Sequence, residues 1–196
     1  MTHEWLISEK QFCFVAVPKT GCTSIIHDLF RAFNHPPPEE YHAKISDILL
    51  SNPEVESYFK CGFVRNPWDR LVSIYHDGIQ DEAHHTVWSS GLLKYRDFSD
   101  FVINLPDSDY KDRVHFRPCS DFLTSNGEIA VDFVGRMETY VDDHSYMYKK
   151  VGVAGKLLHV RKSKRSKDYK QYYNPITKEL VKKLYREDIE RFGYEF

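Results

Sequence analysis

The segment Phe14 to Ile25, FVAVPKTGCTSI, restricts the possible folds more than any other stretch of this chain. The run Phe12–Val17 is too short for a helix and rich in aromatic and β-branched residues, so it reads as a strand. A turn at Pro18–Gly21 follows, and from Thr23 to about Phe33 the apolar positions Ile25, Ile26, Leu29, Phe30 and Phe33 recur at helical spacing. The three prolines Pro36–Pro38 end that helix. A strand that turns straight into a helix gathers unpaired backbone N–H groups at one point, and the helix dipole adds its attraction for an anion. Lys19 adds a mobile positive charge, and Thr20, Thr23 and Ser24 offer hydroxyl donors. The pattern is an oxyanion cradle, but not a GxxxxGK[ST] loop, because Lys19 precedes Gly21. Taken alone, it also fits an ordinary strand-turn-helix with a surface lysine.

A second segment repeats the logic. CGFVRNPWDRLVSIY, Cys61 to Tyr75, runs from a strand at Phe59–Val64 into a helix with Asn66 as its N-cap, Pro67 at its first position and Asp69 in its acidic first turn. Arg65 stands at the strand's carboxyl end, where open α/β sheets bind ligands. Arg65 and Ser73 can serve one phosphate there; a salt bridge and a helix cap are the plainer alternative. Further helices are expected at Asp47–Leu50, Asp97–Leu105, 137–150 and Pro175–Phe192, a third strand at Ile129–Val134, a polar loop or interrupted helix at His76–Ser90, a weak segment at Val153–Val160 and a basic loop at Arg161–Lys170. Strands alternating with helices predict an α/β fold: one domain over 1–196, a parallel sheet flanked by helices, P-loop-like in kind.

Composition narrows the function classes. The 27 Lys and Arg against 29 Asp and Glu leave a formal charge of -2, which argues against a nucleic-acid coat and against an acidic disordered chain. No apolar run approaches the ~20 residues of a membrane span, and MTHEWLISEKQF lacks signal-peptide order, so the expected location is the cytoplasm. Cys13, Cys22, Cys61 and Cys119 are scattered without a CxxC pair, so neither a disulfide framework nor a zinc ribbon is expected.

Together the two segments resemble the signatures of the sulfotransferases that use 3′-phosphoadenosine 5′-phosphosulfate (PAPS), and the carbohydrate-type branch fits best. In that family PKTGxTS is the 5′-phosphosulfate loop and RNPxxRxxSxY the 3′-phosphate site. The likeness continues through His115-Phe116-Arg117-Pro118, Asp132 to Glu138, and Tyr172-Tyr173 to Phe192-Gly193-Tyr194. It implies a sulfotransferase fold and transfer of a sulfuryl group to a hydroxyl of a small-molecule or glycan acceptor, with 3′,5′-adenosine bisphosphate (PAP) as product and no metal. By the same likeness, Pro18, Lys19, Thr20, Gly21, Cys22, Thr23 and Ser24 would hold the phosphosulfate, with Lys19 on the bridging oxygen, while Arg65 and Ser73 would hold the 3′-phosphate.

Such a reaction needs a general base, and His is suited to it near neutral pH. His42, upstream of the second strand, is favoured by position; His115 is the runner-up, and a capping or packed histidine is the alternative for each. Cys119 stands where relatives often carry Gln, and reads as a packed thiol. The run 160–167 holds five basic residues; Arg161, Lys162 and Arg165 are candidates for the donor, with a solvated loop as the alternative. His76, Asp77, Asp81, Glu82, His84 and His85 form a polar cluster without an HExxH motif, read as acceptor-side loop and not as a zinc site, with Trp88 or Tyr95 as a ring for sugar stacking. Two other classes share the phosphate-binding pattern: a P-loop-like nucleotide kinase or phosphotransferase, and a non-catalytic nucleotide or sulfated-glycan binder.

Overall fold

A computed structural model describes residues 6–34, 42–80, 92–153 and 165–196. In chain order its elements are β1 (Leu6–Ile7), β2 (Phe12–Val15), α1 (Cys22–Ala32), α2 (Ile45–Ser51), β3 (Phe59–Val64), α3 (Pro67–Gln80), α4 (Phe98–Asn104), α5 (Ser120–Leu123), β4 (Thr124–Ser125), β5 (Glu128–Ile129), β6 (Phe133–Arg136), α6 (Tyr140–Val151), α7 (Pro175–Leu184) and α8 (Arg186–Phe192). They fall into two compact units, residues 1–65 with 119–161 and residues 66–118 with 162–196.

The first unit holds the sheet, in the order β1-β2-β3-β6. The expected parallel arrangement is present in β2, β3 and β6, with Val15 paired to Gly62 and Val64 paired to Arg136. Sequence reading missed β1, which adds an antiparallel edge of two residues beside β2. β2 is buried along its whole length and β3 from its second residue on, which is why both read as unbroken apolar runs. On one face Phe14, Cys61 and Phe63 pack with Ile25, Ile26 and Leu29 of α1 and with Met147 and Tyr148 of α6. The sheet has no room for side chains at two glycines. A Cβ on Gly135 would lie 2.6 Å from the Phe63 ring, and one on Gly62 would lie 2.5 Å from Leu123 Cδ2.

The third strand lies further along than Ile129–Val134. Ile129 belongs instead to the β4–β5 hairpin, which turns at Asn126 and Gly127, both with positive φ (51° and 82°). That is the Asn-Gly signature of a tight hairpin.

The second unit is helical around a ring-rich core: Trp68, Leu71, Val72 and Tyr75 of α3, Phe98 and Phe101 of α4, Phe116, and Val181 of α7 with Tyr185. Asn66 caps α3 as expected, its Oδ1 accepting from the Trp68 N–H at 3.1 Å. α3 continues through His76 to Gln80, so the polar stretch is helical in its first part, and residues 81–91 lie outside the described region. The expected helix at Pro175–Phe192 is two helices: α7, opened by a capping box at Asn174 and Thr177, and α8, divided from it at Tyr185. The Tyr185 hydroxyl donates to the Phe116 carbonyl at 2.8 Å, a buried anchor that holds the break.

Candidate functional site

The first unit builds the cradle. β2 ends at Val15, two more buried residues follow, and the chain turns through Pro18–Gly21 into α1. Lys19 and Gly21 are both left-handed, with φ of 67° and 74°. For Lys19 that conformation costs roughly 1–2 kcal/mol relative to the right-handed one. Alternation of this kind turns successive N–H groups toward one concave side. α1 has Gly21 as N-cap and no side-chain cap hydrogen bond, and the Ser24 N–H donates to the Gly21 carbonyl at 3.1 Å, so within the first turn an anion has the Cys22 and Thr23 amides to meet. Met137 Sδ lies 3.1 Å from the position of a Gly21 Cβ, so a side chain there requires Met137 to shift, and the φ of 74° strains it besides.

Not every loop hydroxyl is available to a ligand. Thr20 is fully buried and donates through Oγ1 to the Val17 carbonyl at 2.9 Å, so its side chain ties the turn to the end of β2. This corrects the expectation of Thr20 as a hydroxyl donor; Thr23 and Ser24 remain half-exposed at the start of α1. Cys22 is buried, and burial holds its thiol above the ordinary value against the opposing pull of Lys19. It therefore contributes its backbone and a neutral side chain.

Two long-range contacts bring other expected residues to this loop. Arg65, directly after β3, donates from Nη1 to the Lys19 carbonyl at 3.3 Å. His42 Nδ1 lies 2.8 Å from the carbonyl oxygen of Ala16, at the end of β2. A carbonyl can only accept, so the neutral ring carries its proton on Nδ1 and keeps the lone pair on Nε2. Lys19, Arg65 and His42 are thus assembled around the carboxyl ends of β2 and β3. Two residues beyond His42, Lys44 stands 3.9 Å from Asp121 of α5, each about one-third exposed. Sequence reading missed that pair because its members are 77 positions apart.

Ser73, His115 and Arg165 belong to the second unit. Ser73 is buried on α3, one turn after Asp69 and one before His76. Arg165 is close against Asp69, at 2.5 Å, with its side chain only 6% exposed; the 96-residue separation hid this partner from the sequence. Arg161 and Lys162 lie outside the described residues. The carbonyl of His115 accepts from Arg70 Nη2 at 3.1 Å, and Arg70 is buried, so this segment's backbone is part of the unit's interior. His76 lies edge-on to Tyr172, with ring centroids 4.9 Å apart, and its Nε2 is buried without a hydrogen-bond partner among the described residues. Burial, with Arg165 second, lowers its pKa from the ordinary histidine value. Tyr95 is half-buried against Phe101 and Tyr110, as a packed ring would be.

All four cysteines are buried and unbridged, and burial pushes the Cys13 thiol up to about 12. Among the described residues no group of three or more His, Cys, Asp or Glu side chains could hold a metal ion; Asp81, Glu82, His84 and His85, like Trp88, lie outside them.

A strand-loop-helix cradle with Lys19 in the turn and an arginine directly after the neighbouring strand is a site suited to a phosphate- or sulfate-like anion. The chain belongs to the sulfotransferase family, whose model matches residues 3–195. It is 25% identical over 237 residues to carbohydrate sulfotransferase 10 of Xenopus laevis, covering 96% of this chain and 66% of the relative. Carbohydrate sulfotransferase 14 of Danio rerio is 25% identical over 209 residues, covering 92% and 55%, and carbohydrate sulfotransferase 9 of Homo sapiens is 27% identical over 169 residues, covering 71% and 38%. The chain thus spans two thirds or less of the length of these relatives. No solved structure matches.

Proposed function

We propose that the chain transfers a sulfuryl group from PAPS to a hydroxyl of a glycan or small-molecule acceptor. The observation that carries this reading is the meeting of His42 and Arg65 at the two ends of one loop, on Ala16 and Lys19. Family membership and the names of the relatives support the class of reaction and point toward carbohydrate acceptors.

The loop N–H groups from Thr20 to Thr23, with the Thr23 and Ser24 hydroxyls, hold the 5′-phosphosulfate; Arg65 serves the 3′-phosphate, for which the family likeness also names Ser73. His42 Nε2 takes the acceptor's proton as the new oxygen–sulfur bond forms in line with the bond that breaks. Lys19 meets the negative charge left on the phosphate oxygen, so that PAP departs as the second product. Fixed N–H dipoles and cations aimed at developing charge can supply several kcal/mol of barrier lowering, about 2.7–4 kcal/mol for one such donor in a well-measured case. His115 remains the second candidate for the base, and Arg161, Lys162 and Arg165 for donor contacts.

The test is a screen of the purified chain with PAPS against neutral and acidic oligosaccharides and simple alcohols, read by mass spectrometry. Sulfated product that requires PAPS and vanishes in His42→Ala is the expected result. Binding of PAP without product from any acceptor would instead favour a non-catalytic binder, and ATP-dependent phosphorylation a kinase.

A further inference from the structure

We infer that Arg65 is also a positioning residue: it braces the Lys19–Gly21 turn through the Lys19 carbonyl, so that the cradle is formed before any donor arrives. Lys19 is one of four non-glycine residues with positive φ among the described residues, and it is the one inside the anion loop. A strained backbone of this sort persists only where surrounding contacts over-determine it. Three such contacts converge here. Thr20 is tied to Val17 on the sheet side, Gly21 is packed against Met137 and Tyr140, and Arg65 Nη1 reaches the Lys19 carbonyl from the adjacent strand. The first two hold the residues that follow Lys19; the third holds the Lys19 peptide itself. β3 makes a firm base for the brace, because it runs between β2 and β6 and its last residue, Val64, is paired to Arg136 and accepts the Met137 N–H at 2.9 Å. A guanidinium has five N–H donors in a rigid fork, so a bond from Nη1 leaves it able to serve a ligand as well. A lysine has one ammonium for both tasks.

The test has one arm free of any ligand and one that rests on the reading of the site as a PAPS cradle. Hydrogen exchange of the nucleotide-free protein is compared among the parent, Arg65→Gln, Arg65→Lys and Lys19→Ala, with β3 amides as the folding control. The brace requires amides 19–23 to exchange at least tenfold faster in both Arg65 variants and at the parent rate in Lys19→Ala, which keeps the carbonyl. In turnover, Arg65→Lys regains donor KM relative to Arg65→Gln, yet its kcat at saturating PAPS stays at least tenfold below the parent. Parent-like loop exchange in both Arg65 variants overturns the brace, as does full recovery of kcat in Arg65→Lys. Failure of the parent to bind PAP overturns the donor reading and leaves the exchange arm to decide the brace.

Discussion

His42 Nδ1 is held 2.8 Å from the Ala16 carbonyl, 26 residues back along the chain. The contact sets the tautomer of the imidazole at the mouth of the anion loop, as a general base requires. A positioned base contributes about 10²–10⁴-fold to rate. His42→Gln and His42→Asn are therefore expected to lose about two orders of magnitude or more in kcat, while affinity for PAP by calorimetry stays close to the parent's. Parent-like turnover in either variant would remove His42 from the mechanism and bring His115 forward.

The hydroxyls of the loop divide by burial. Thr20→Val leaves the Val17 carbonyl without its buried donor, a change that costs about 1–3 kcal/mol. Urea unfolding is expected to show that loss. Thr23→Val and Ser24→Ala, at the half-exposed start of α1, are expected to unfold like the parent and bind PAP more weakly. Equal effects of all three substitutions on stability would contradict the division.

How far this was legible in the sequence follows from the range of the contacts. β2, β3 and the cradle between Pro18 and Ser24 are local, and burial on both strand faces left continuous apolar runs to read. β6 was misplaced because its FVGR sequence is short, interrupted by glycine and charged at its end, while the Asn126-Gly127 turn that claims Ile129 went unread. The break falls at Tyr185, whose hydroxyl bonds to Phe116, 69 residues away, and no helical periodicity records that partner. The same holds at the site. Lys19 and Arg65 are written in their motifs, whereas the burial of Thr20, the tether of His42 and the pairing of Arg165 with Asp69 are tertiary facts.

Gly135 offers a test of the sheet. An added methyl would sit 2.6–2.8 Å from three atoms of the Phe63 ring, a stiff neighbour enclosed by Phe14, Phe133 and Tyr140. Overpacking of this kind costs about 1–3 kcal/mol. Gly135→Ala should lower Tm by about 2–4 °C for each kcal/mol lost. Gly152→Ala is the contrasting case. Its Cβ meets no atom within 4 Å among the described residues, but its φ of 74° strains any residue other than glycine, so it tests conformation without packing. Calorimetric scans of both variants check the two effects, and an unchanged Tm for Gly135→Ala would contradict the register of β3 with β6.

His76 gives the second unit a pH signature. Its pKa is lowered in the folded state by burial and then by Arg165, so near the ordinary value of 6.5 the unfolded chain binds more protons than the folded one. Stability then rises with pH through this window and falls as the pH drops below 6.5 toward the folded pKa. His76→Gln is expected to flatten that acid limb, seen as a smaller difference in urea midpoint between pH 7.5 and pH 5.5. An unchanged difference would show that other groups set the acid dependence.

The proposed reaction requires the loop around Lys19, closed by Arg65, to be a cradle for the phosphosulfate donor. Calorimetric titration of the parent chain with PAP and with ATP, repeated on Arg65→Gln, tests it most directly. Tight PAP binding, weak or no ATP binding, and a loss of about 10-fold or more in PAP affinity in the variant, equal to about 1.4 kcal/mol, are the expected results. Preferential ATP binding by the parent, or PAP binding unaffected by Arg65→Gln, would contradict it.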